Sequence, residues 1–213
     1  MVFLLCASLL AYRFLTFRGT SPVIALDTSI TRLALARHNA QIYGVADRIE
    51  FILTDYVAFA KTYAARRSAS SNALSASSSS QNRIIDAVFL SPPWGGPAYL
   101  SGSAEDSASD PSAPLPSNDI VSESEHPSYS LASIQPLPGQ DLFQLTQGIT
   151  QNIAFYLPRN TRLEEISALV KTPGDLVEVE EEWMGNKLKA LTCYFGGLVE
   201  GQEHMFDAIS SEA

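Results

Sequence analysis

The sequence predicts an α/β fold: an open, mostly parallel sheet with one antiparallel edge strand. Two observations predict it. Short apolar runs of strand length alternate with segments whose apolar residues recur at helical spacing, the pattern of successive βα units. The pattern then ends in two strand-like runs joined by a loop containing Gly185-Asn186, so the last two strands form an antiparallel hairpin.

Val2–Cys6 is a continuous apolar run read as a buried strand, with Ser8–Phe17 as the helix after it. The run from Val2 to Tyr12 is too short to span a bilayer, and it lacks the basic leader and cleavage site of a secretory signal. Val23-Ile24-Ala25-Leu26 is a short buried strand ending at Asp27. Thr28 or Ser29 caps the next helix, whose Ile30, Leu33, Ala34, Ala36 and Ala40 line one face before Gly44 closes it. Ile49–Leu53 is the following strand, ending at Asp55, and Val57–Ala65 the helix after it. Ile84–Leu90 is a buried strand that leads into a proline-rich loop. Leu142, Leu145, Ile149 and Ile153 keep helical spacing, and the chain then passes into a strand over Ile153–Leu157 and a helix near Arg162–Val170. Leu176–Glu180 and Leu188–Phe195 are the closing strands.

A chain of 213 residues, 46% hydrophobic, is long enough for one domain with a real core. That domain is placed at residues 1–200, with an atypical first 20 residues and a C-terminal tail at 201–213. Residues 67–82 are mostly Ser and Ala, and residues 101–133 are rich in Ser, Pro and acids. Neither segment offers a periodic apolar face, so both are read as flexible insertions. The net charge of −9 argues against wide, non-specific nucleic-acid binding. Its distribution leaves room for a local nucleotide pocket, because the stretch 101–140 carries six acids and no Lys or Arg, and the remainder is near −3. Cys6 and Cys193 are too few for a disulfide framework or a zinc site, and the reading calls for neither a metal nor a membrane.

Ser91-Pro92-Pro93-Trp94-Gly95-Gly96-Pro97 follows the strand at Ile84–Leu90. Each proline fixes its own φ and holds the residue before it extended, so the loop is stiff. Such a loop aims backbone carbonyls and the Ser91 hydroxyl at one point beside a flat indole, which suits a planar base whose exocyclic amine is held and methylated. The competing reading is a proline-rich turn with Trp94 as a core anchor. Asp27 and Asp55 stand at the carboxyl ends of successive strands, where an open α/β sheet binds its ligands. A carboxylate in the position of Asp27 can accept both hydroxyls of a ribose, and one in the position of Asp55 can accept from an adenine amine. Each also precedes a helix, and a helix cap is the alternative for both.

Beyond single residues, Val23–Asp27, Ala34–Ala40 and Tyr43–Ile52, then Ser91–Pro97 with Tyr99, then Ile149–Ile153, Tyr156–Asn160, Asn186–Lys189 and Tyr194–Gly196 recur in one order at compatible spacing. In these motifs the chain resembles the trimethylguanosine synthase family, whose members add methyl groups to guanine N2 of a 7-methylguanosine RNA cap. The resemblance covers most of residues 21–200 outside the two insertions. It implies a class I, Rossmann-like methyltransferase fold, S-adenosylmethionine as cofactor, capped small nuclear and small nucleolar RNAs as partners, and residence in the nucleus. It also implies roles. Trp94 stacks on the 7-methylguanine, Ser91 and the Pro92 carbonyl orient the N2 amine, and Tyr99 and Arg159 contact cap phosphates. Asp27, Asp55 and Ser91 hold the cofactor. The long match, with Tyr99 and Arg159, favours this substrate over an adenine N6 or a protein amide.

One stretch departs from the family. Its first strand leads into an acidic residue and a glycine-rich turn that wraps the cofactor's methionine part. Here Leu4–Tyr12 takes that place, and no glycine occurs before Gly19, although sharp turns and close ligand approach favour glycine. The first strand and its turn are therefore expected to be degenerate or replaced, and cofactor binding to be weak. The chain is then either a truncated or misassembled product, or a diverged protein that acts as a non-catalytic cap-binding module.

Overall fold

A computed structural model describes residues 2–5, 22–72, 84–95, 128–171 and 175–199. Its strands are β1 (Val2–Leu5), β2 (Val23–Asp27), β3 (Ile49–Leu53), β4 (Ala87–Leu90), β5 (Ile153–Pro158), β6 (Val177–Met184) and β7 (Lys187–Phe195). Between them lie helices α1 (Ile30–Ile42), α2 (Tyr56–Asn72), α3 (Gly139–Gln147) and α4 (Leu163–Ser167). The expected helix at Ser8–Phe17 lies outside the described residues, as does the tail at 201–213.

The strands form one seven-stranded sheet in the order β3-β2-β1-β4-β5-β7-β6. The pairs from β3 across to β5 are all parallel, while β7 pairs antiparallel with both β5 and β6. The antiparallel strand is thus second from the edge, and β6 is outermost. Burial explains that placement. Ala190, Leu191, Thr192 and Cys193 of β7 are buried against β5, whereas β6 presents Glu178, Glu180, Glu181 and Glu182. Charges on the outer strand discourage pairing with a further chain. Glu182 and Glu180 accept hydrogen bonds from Thr192 Oγ1 (2.9 Å) and the Tyr194 hydroxyl (2.6 Å), which ties the outer strand to its neighbour.

Period-two alternation sorts the side chains onto the two faces of the sheet. Ile24, Leu26, Val88, Leu90, Ile153, Phe155 and Leu157 join the larger core, while Val23, Phe89 and Ala154 form a smaller one. Helices α2 and α3 meet over the larger core. There the Thr146 hydroxyl donates to the Leu142 carbonyl (2.8 Å), so in its 2.7 Å contact with Tyr56 it is the Tyr56 hydroxyl that donates. Cys193 is buried and free, and burial pushes its thiol up to about 12.

Several boundaries differ from the sequence expectation. Helix α2 runs on through Asn72, into the Ser- and Ala-rich stretch expected from residue 67 to be a loop. Arg67 helps anchor that extension by donating to the Ile149 carbonyl at 3.0 Å. At the second expected insertion, residues 128–133 are packed: Tyr129 bridges to Thr161, and Leu131–Ser133 form a 3-10 turn. Strand β4 starts at Ala87 rather than Ile84, because Ile85 N–H donates to the Tyr63 hydroxyl and the Asp86 carbonyl accepts from Thr150 and Asn152 side chains. On α1, Leu33, Ala36 and Ala40 are buried as expected, while Ile30 and Ala34 are exposed.

Two family-motif residues prove to be structural. Asn152 receives the Gly197 N–H (2.8 Å) on its side-chain oxygen, donates to the Asp86 carbonyl (2.9 Å), and accepts the Val88 N–H on its backbone. It thereby joins the amino ends of β4 and β5 to the segment after β7. Gly196 approaches the same point with φ of +66°, and a Cβ there would stand 2.5 Å from the Gln151 carbonyl oxygen. Gly185, in the hairpin turn, also has positive φ (+62°) but nothing within 4 Å of a built Cβ. Gly185→Ala is expected to destabilise by about 1–2 kcal/mol from backbone conformation alone. Gly196→Ala should exceed it by roughly 1–3 kcal/mol through the added clash. Urea-unfolding midpoints check the order, and equal losses would contradict the close approach.

Candidate active site

The parallel pairing sets the site's geometry before any side chain is placed. Leu5 pairs with Leu26, Leu4 with Ala25 and Phe89, and Leu90 with Phe155. Asp27 on β2 and Ser91 beyond β4 therefore sit in one row just past the end of β1, with Tyr156 of β5 in the same row. Two strand spacings, about 10 Å, separate the Asp27 and Ser91 backbones. Leu53 pairs with Asp27, so Asp55 rises two residues above this row, and Arg159 follows directly on β5. Asp27, Asp55, Ser91, Pro92, Trp94 and Arg159 thus share the carboxyl edge of the sheet. Tyr99 lies outside the described residues.

Each side chain has a definite setting. In the loop, Pro92 is buried, Ser91 and Trp94 are half-buried, and Pro93 is exposed. Gly95 has φ of +89°, a conformation that favours glycine and turns the chain after the indole. The Trp94 ring rests on Tyr156, with centroids 5.0 Å apart and planes inclined by 33°. Its Nε1–H donates to the Tyr156 carbonyl at 3.3 Å. Trp94 also packs against the edge of the larger core, so the indole is both anchored and open. Arg159 is half-buried and donates from Nη1 to the Leu188 carbonyl at 3.4 Å, which holds it between β5 and β7.

The two acids have different settings. Asp55 caps α2: its Oδ1 accepts the Ala58 N–H at 2.8 Å, and the residue is exposed. A carboxylate has two oxygens, so capping and ligand contact are compatible. Asp27 does not cap α1; Ser29 does, through Oγ and the Arg32 N–H. The Asp27 carboxylate is instead gripped by its own loop. Oδ1 accepts from Ser29 N–H (2.7 Å), Arg32 Nε (3.0 Å) and Arg32 Nη2 (2.7 Å), and Oδ2 from Arg32 Nε (2.8 Å). Burial alone raises the acid's pKa; the Arg32 contact and the Ser29 and Thr28 amides outweigh it and hold the pKa below the usual aspartate value. An ionised carboxylate at this edge suits the ribose of a nucleoside cofactor. The methionine half would fall to residues after Leu5, outside the described segments.

Sequence reasoning missed Arg32 and Tyr156. The signal for Arg32 was a cation in the first turn of the helix after Asp27. Tyr156 was legible as a strand residue and as part of the Tyr156–Asn160 motif, but not as the support of the indole, since its contact with Trp94 joins distant parts of the chain. His38 is exposed on α1. Among the described residues, no group of three or more His, Cys, Asp or Glu is arranged to hold a metal ion, and no helix is long and apolar enough to cross a membrane. An open groove of about 400 Å³, lined by Val23, Arg37, Arg48, Ile49, Glu50 and Phe51 among others, lies at the opposite, amino-terminal end of β2 and β3. Its charges are mixed and it is remote from the Ser91 loop.

The Asp27 setting has a pH consequence. Because its folded-state pKa is lowered, its contribution to stability is present above 3.8 and is lost as pH falls through the folded value. Carbon-13 shifts of the carboxyl group against pH should place its midpoint below 3.8 and show it rising in Arg32→Gln. A midpoint at the ordinary value in the unmodified chain would contradict the ion pair.

Comparison with known proteins places this arrangement. The chain is 27% identical over 186 residues to trimethylguanosine synthase of Schizosaccharomyces pombe, covering 84% of this chain and 59% of that protein. It is 26% identical over 177 residues to trimethylguanosine synthase of Saccharomyces cerevisiae, covering 82% and 44%. The chain thus spans about half the length of the curated relatives it matches. A crystal structure of an S-adenosylmethionine-dependent methyltransferase from Agrobacterium tumefaciens superposes with a TM-score of 0.52 at 11% identity, over 92% of this chain and 55% of that one. The likeness supports the class I methyltransferase fold. The family model for RNA cap guanine-N2 methyltransferases matches residues 14–124 and 121–198, so the segment at 4–12, where the family's glycine-rich turn is expected, lies before the match. On that match, the chain belongs to the RNA cap guanine-N2 methyltransferase family.

Proposed function

We propose that this chain catalyses S-adenosylmethionine-dependent methylation of guanine N2 on 7-methylguanosine-capped RNA. The RNA substrates we propose are small nuclear and small nucleolar RNAs, in the nucleus. The observation that carries the reading is the Ser91–Trp94 loop: its indole is braced on Tyr156 beside a row that also holds Asp27.

S-adenosylmethionine supplies an electrophilic methyl group on a sulfonium. The chain's own residues do the positioning. Asp27 accepts the ribose hydroxyls and Asp55 the adenine amine, with Ser91 near the boundary between cofactor and base. Trp94 stacks on 7-methylguanine, whose positive charge adds a cation–π attraction of up to about 2 kcal/mol when water is excluded. Ser91 Oγ and the Pro92 carbonyl accept hydrogens of the N2 amine and aim its lone pair. The step is an in-line displacement, so holding the two reactants in attack geometry is a large part of catalysis. Arg159 and Tyr99 contact the cap phosphates, where a guanidinium offers two parallel donors.

The test uses a Trp183→Phe background, because the chain has only two tryptophans and Trp183 is exposed in the β6–β7 hairpin. Trp94 fluorescence should then be quenched by 7-methylated cap analogue at lower concentration than by unmethylated cap. Trp94→Ala, followed by calorimetry, should lose roughly 1–3 kcal/mol of binding and the 7-methyl preference. Arg159→Ala should weaken both analogues about equally, since phosphate contacts do not read the base. Mass spectrometry should find methyl groups added to guanine N2. Equal affinity for the two analogues would refute the stacking role. A clear preference without transfer would favour a non-catalytic cap-binding module.

A further inference from the structure

The β6–β7 hairpin runs past the sheet it belongs to. Pairing of β7 with β5 ends at Ala190 opposite Pro158, yet β7 starts at Lys187 and pairs with β6 out to Met184. At about 3.3 Å per residue, Lys187–Lys189 carry the hairpin roughly 10 Å beyond the carboxyl end of β5. The tip holds Trp183 and Met184, 57% and 71% exposed, and the exposed Lys187 and Lys189. Such exposure gains the fold little, since the hydrophobic effect rewards area removed from water.

The pairing register decides which face the indole shares. Val177 of β6 and Leu188 of β7 pack against the larger core. Pairing steps from Glu182–Ala190 to Trp183–Leu188, so β7 has an extra residue at Lys189, and the shift leaves Leu188 beside Trp183. By alternation along β6, Val177, Val179, Glu181 and Trp183 share this face. Glu178, Glu180 and Glu182 take the other, where the Tyr194 and Thr192 hydroxyls hold the last two. Trp183 Nε1–H donates to Glu181 Oε2 at 2.9 Å, which sets the direction of the ring. The Leu188 carbonyl also accepts from Arg159 Nη1. Arg159, Leu188 and Trp183 therefore form one row across β5, β7 and β6. Two strand spacings, about 10 Å, separate its ends.

We propose that Trp183 is a second stacking platform, for the base of the nucleotide that follows the cap in the RNA chain. The inference rests on the reading of Trp94 and Arg159 as contacts to the cap base and phosphates. With the cap base on Trp94 and the phosphates at Arg159, the bridge leads along this row, over Leu188, to Trp183. Stacking uses a π-face that every base has, so the platform tolerates any base. Lys187 and Lys189 place positive charge beside that path on a chain whose net charge is −9.

Calorimetry compares 7-methylguanosine triphosphate with the dinucleotide cap in which the same triphosphate continues to adenosine. Esterifying the terminal phosphate removes negative charge, so the lysines alone would favour the shorter ligand. The unmodified chain should bind the dinucleotide cap about five-fold more tightly, the low end for one stacked base. Guanosine in place of adenosine should keep the advantage. Trp183→Ala should abolish it and leave the affinity for 7-methylguanosine triphosphate unchanged, while Trp183→Phe should keep most of it. In Trp94→Phe, where Trp183 is the one tryptophan left, the dinucleotide cap should quench fluorescence and the triphosphate should not. No advantage, or one that survives Trp183→Ala, would overturn the platform. A 7-methyl preference beside that result would leave the Trp94 reading standing. An advantage that depends on Trp183 but comes without 7-methyl preference would keep Trp183 and refute Trp94.

Discussion

Parallel pairing between β strands has a geometric consequence on which the rest of this molecule depends. When β3, β2, β1, β4 and β5 all run the same way, every carboxyl end arrives at one edge of the sheet, and the chain must cross back each time before starting the next strand. The segments that leave that edge are loops, where backbone groups are least committed and side chains are free to serve a ligand. Asp27, Asp55, Ser91 and Arg159 are far apart in sequence and become neighbours for this reason alone. The register between β1, β2 and β4 is what aligns Asp27 with Ser91, and a one-residue slip would turn both side chains to the opposite face.

The opposite edge performs a mechanical task. Asn152 and Gly196 close the amino ends of β4 and β5 against the segment after β7. Both belong to motifs shared with the cap guanine-N2 methyltransferase family, so part of what a family motif carries is the holding of strands in register. At the carboxyl edge, the two halves of the site differ in state. Trp94 is braced by Tyr156 and has little freedom to lose on stacking. Asp27 is held by the Arg32 guanidinium and its own loop.

Much of this was legible in the sequence because it is local. The strands at Val23–Asp27, Ile49–Leu53 and Ile153–Pro158 are apolar runs, and the Ser29 cap and the Gly185 turn follow from residue type at fixed offsets. The stiffness of Ser91-Pro92-Pro93-Trp94 needs only two prolines. What was not legible is non-local or a competition. The place of β7 between β5 and β6 is decided by burial against β5, which the local pattern does not carry. The extension of α2 through Asn72 depends in part on an Arg67 contact 82 residues away in sequence. Asp27 was read as either a ligand acceptor or a cap, whereas Ser29 takes the cap and Arg32 takes the carboxylate.

The central claim is that cofactor and cap meet at the carboxyl edge of the parallel strands. Amide chemical-shift mapping on titration with 7-methylguanosine diphosphate tests it most directly. The account predicts shifts gathered at Ser91 to Gly95, Tyr156 and Arg159, with Asn152, Gly185 and Gly196 unmoved. Shifts gathered instead around Arg37 and Arg48, at the amino-terminal end of β2 and β3, would contradict it.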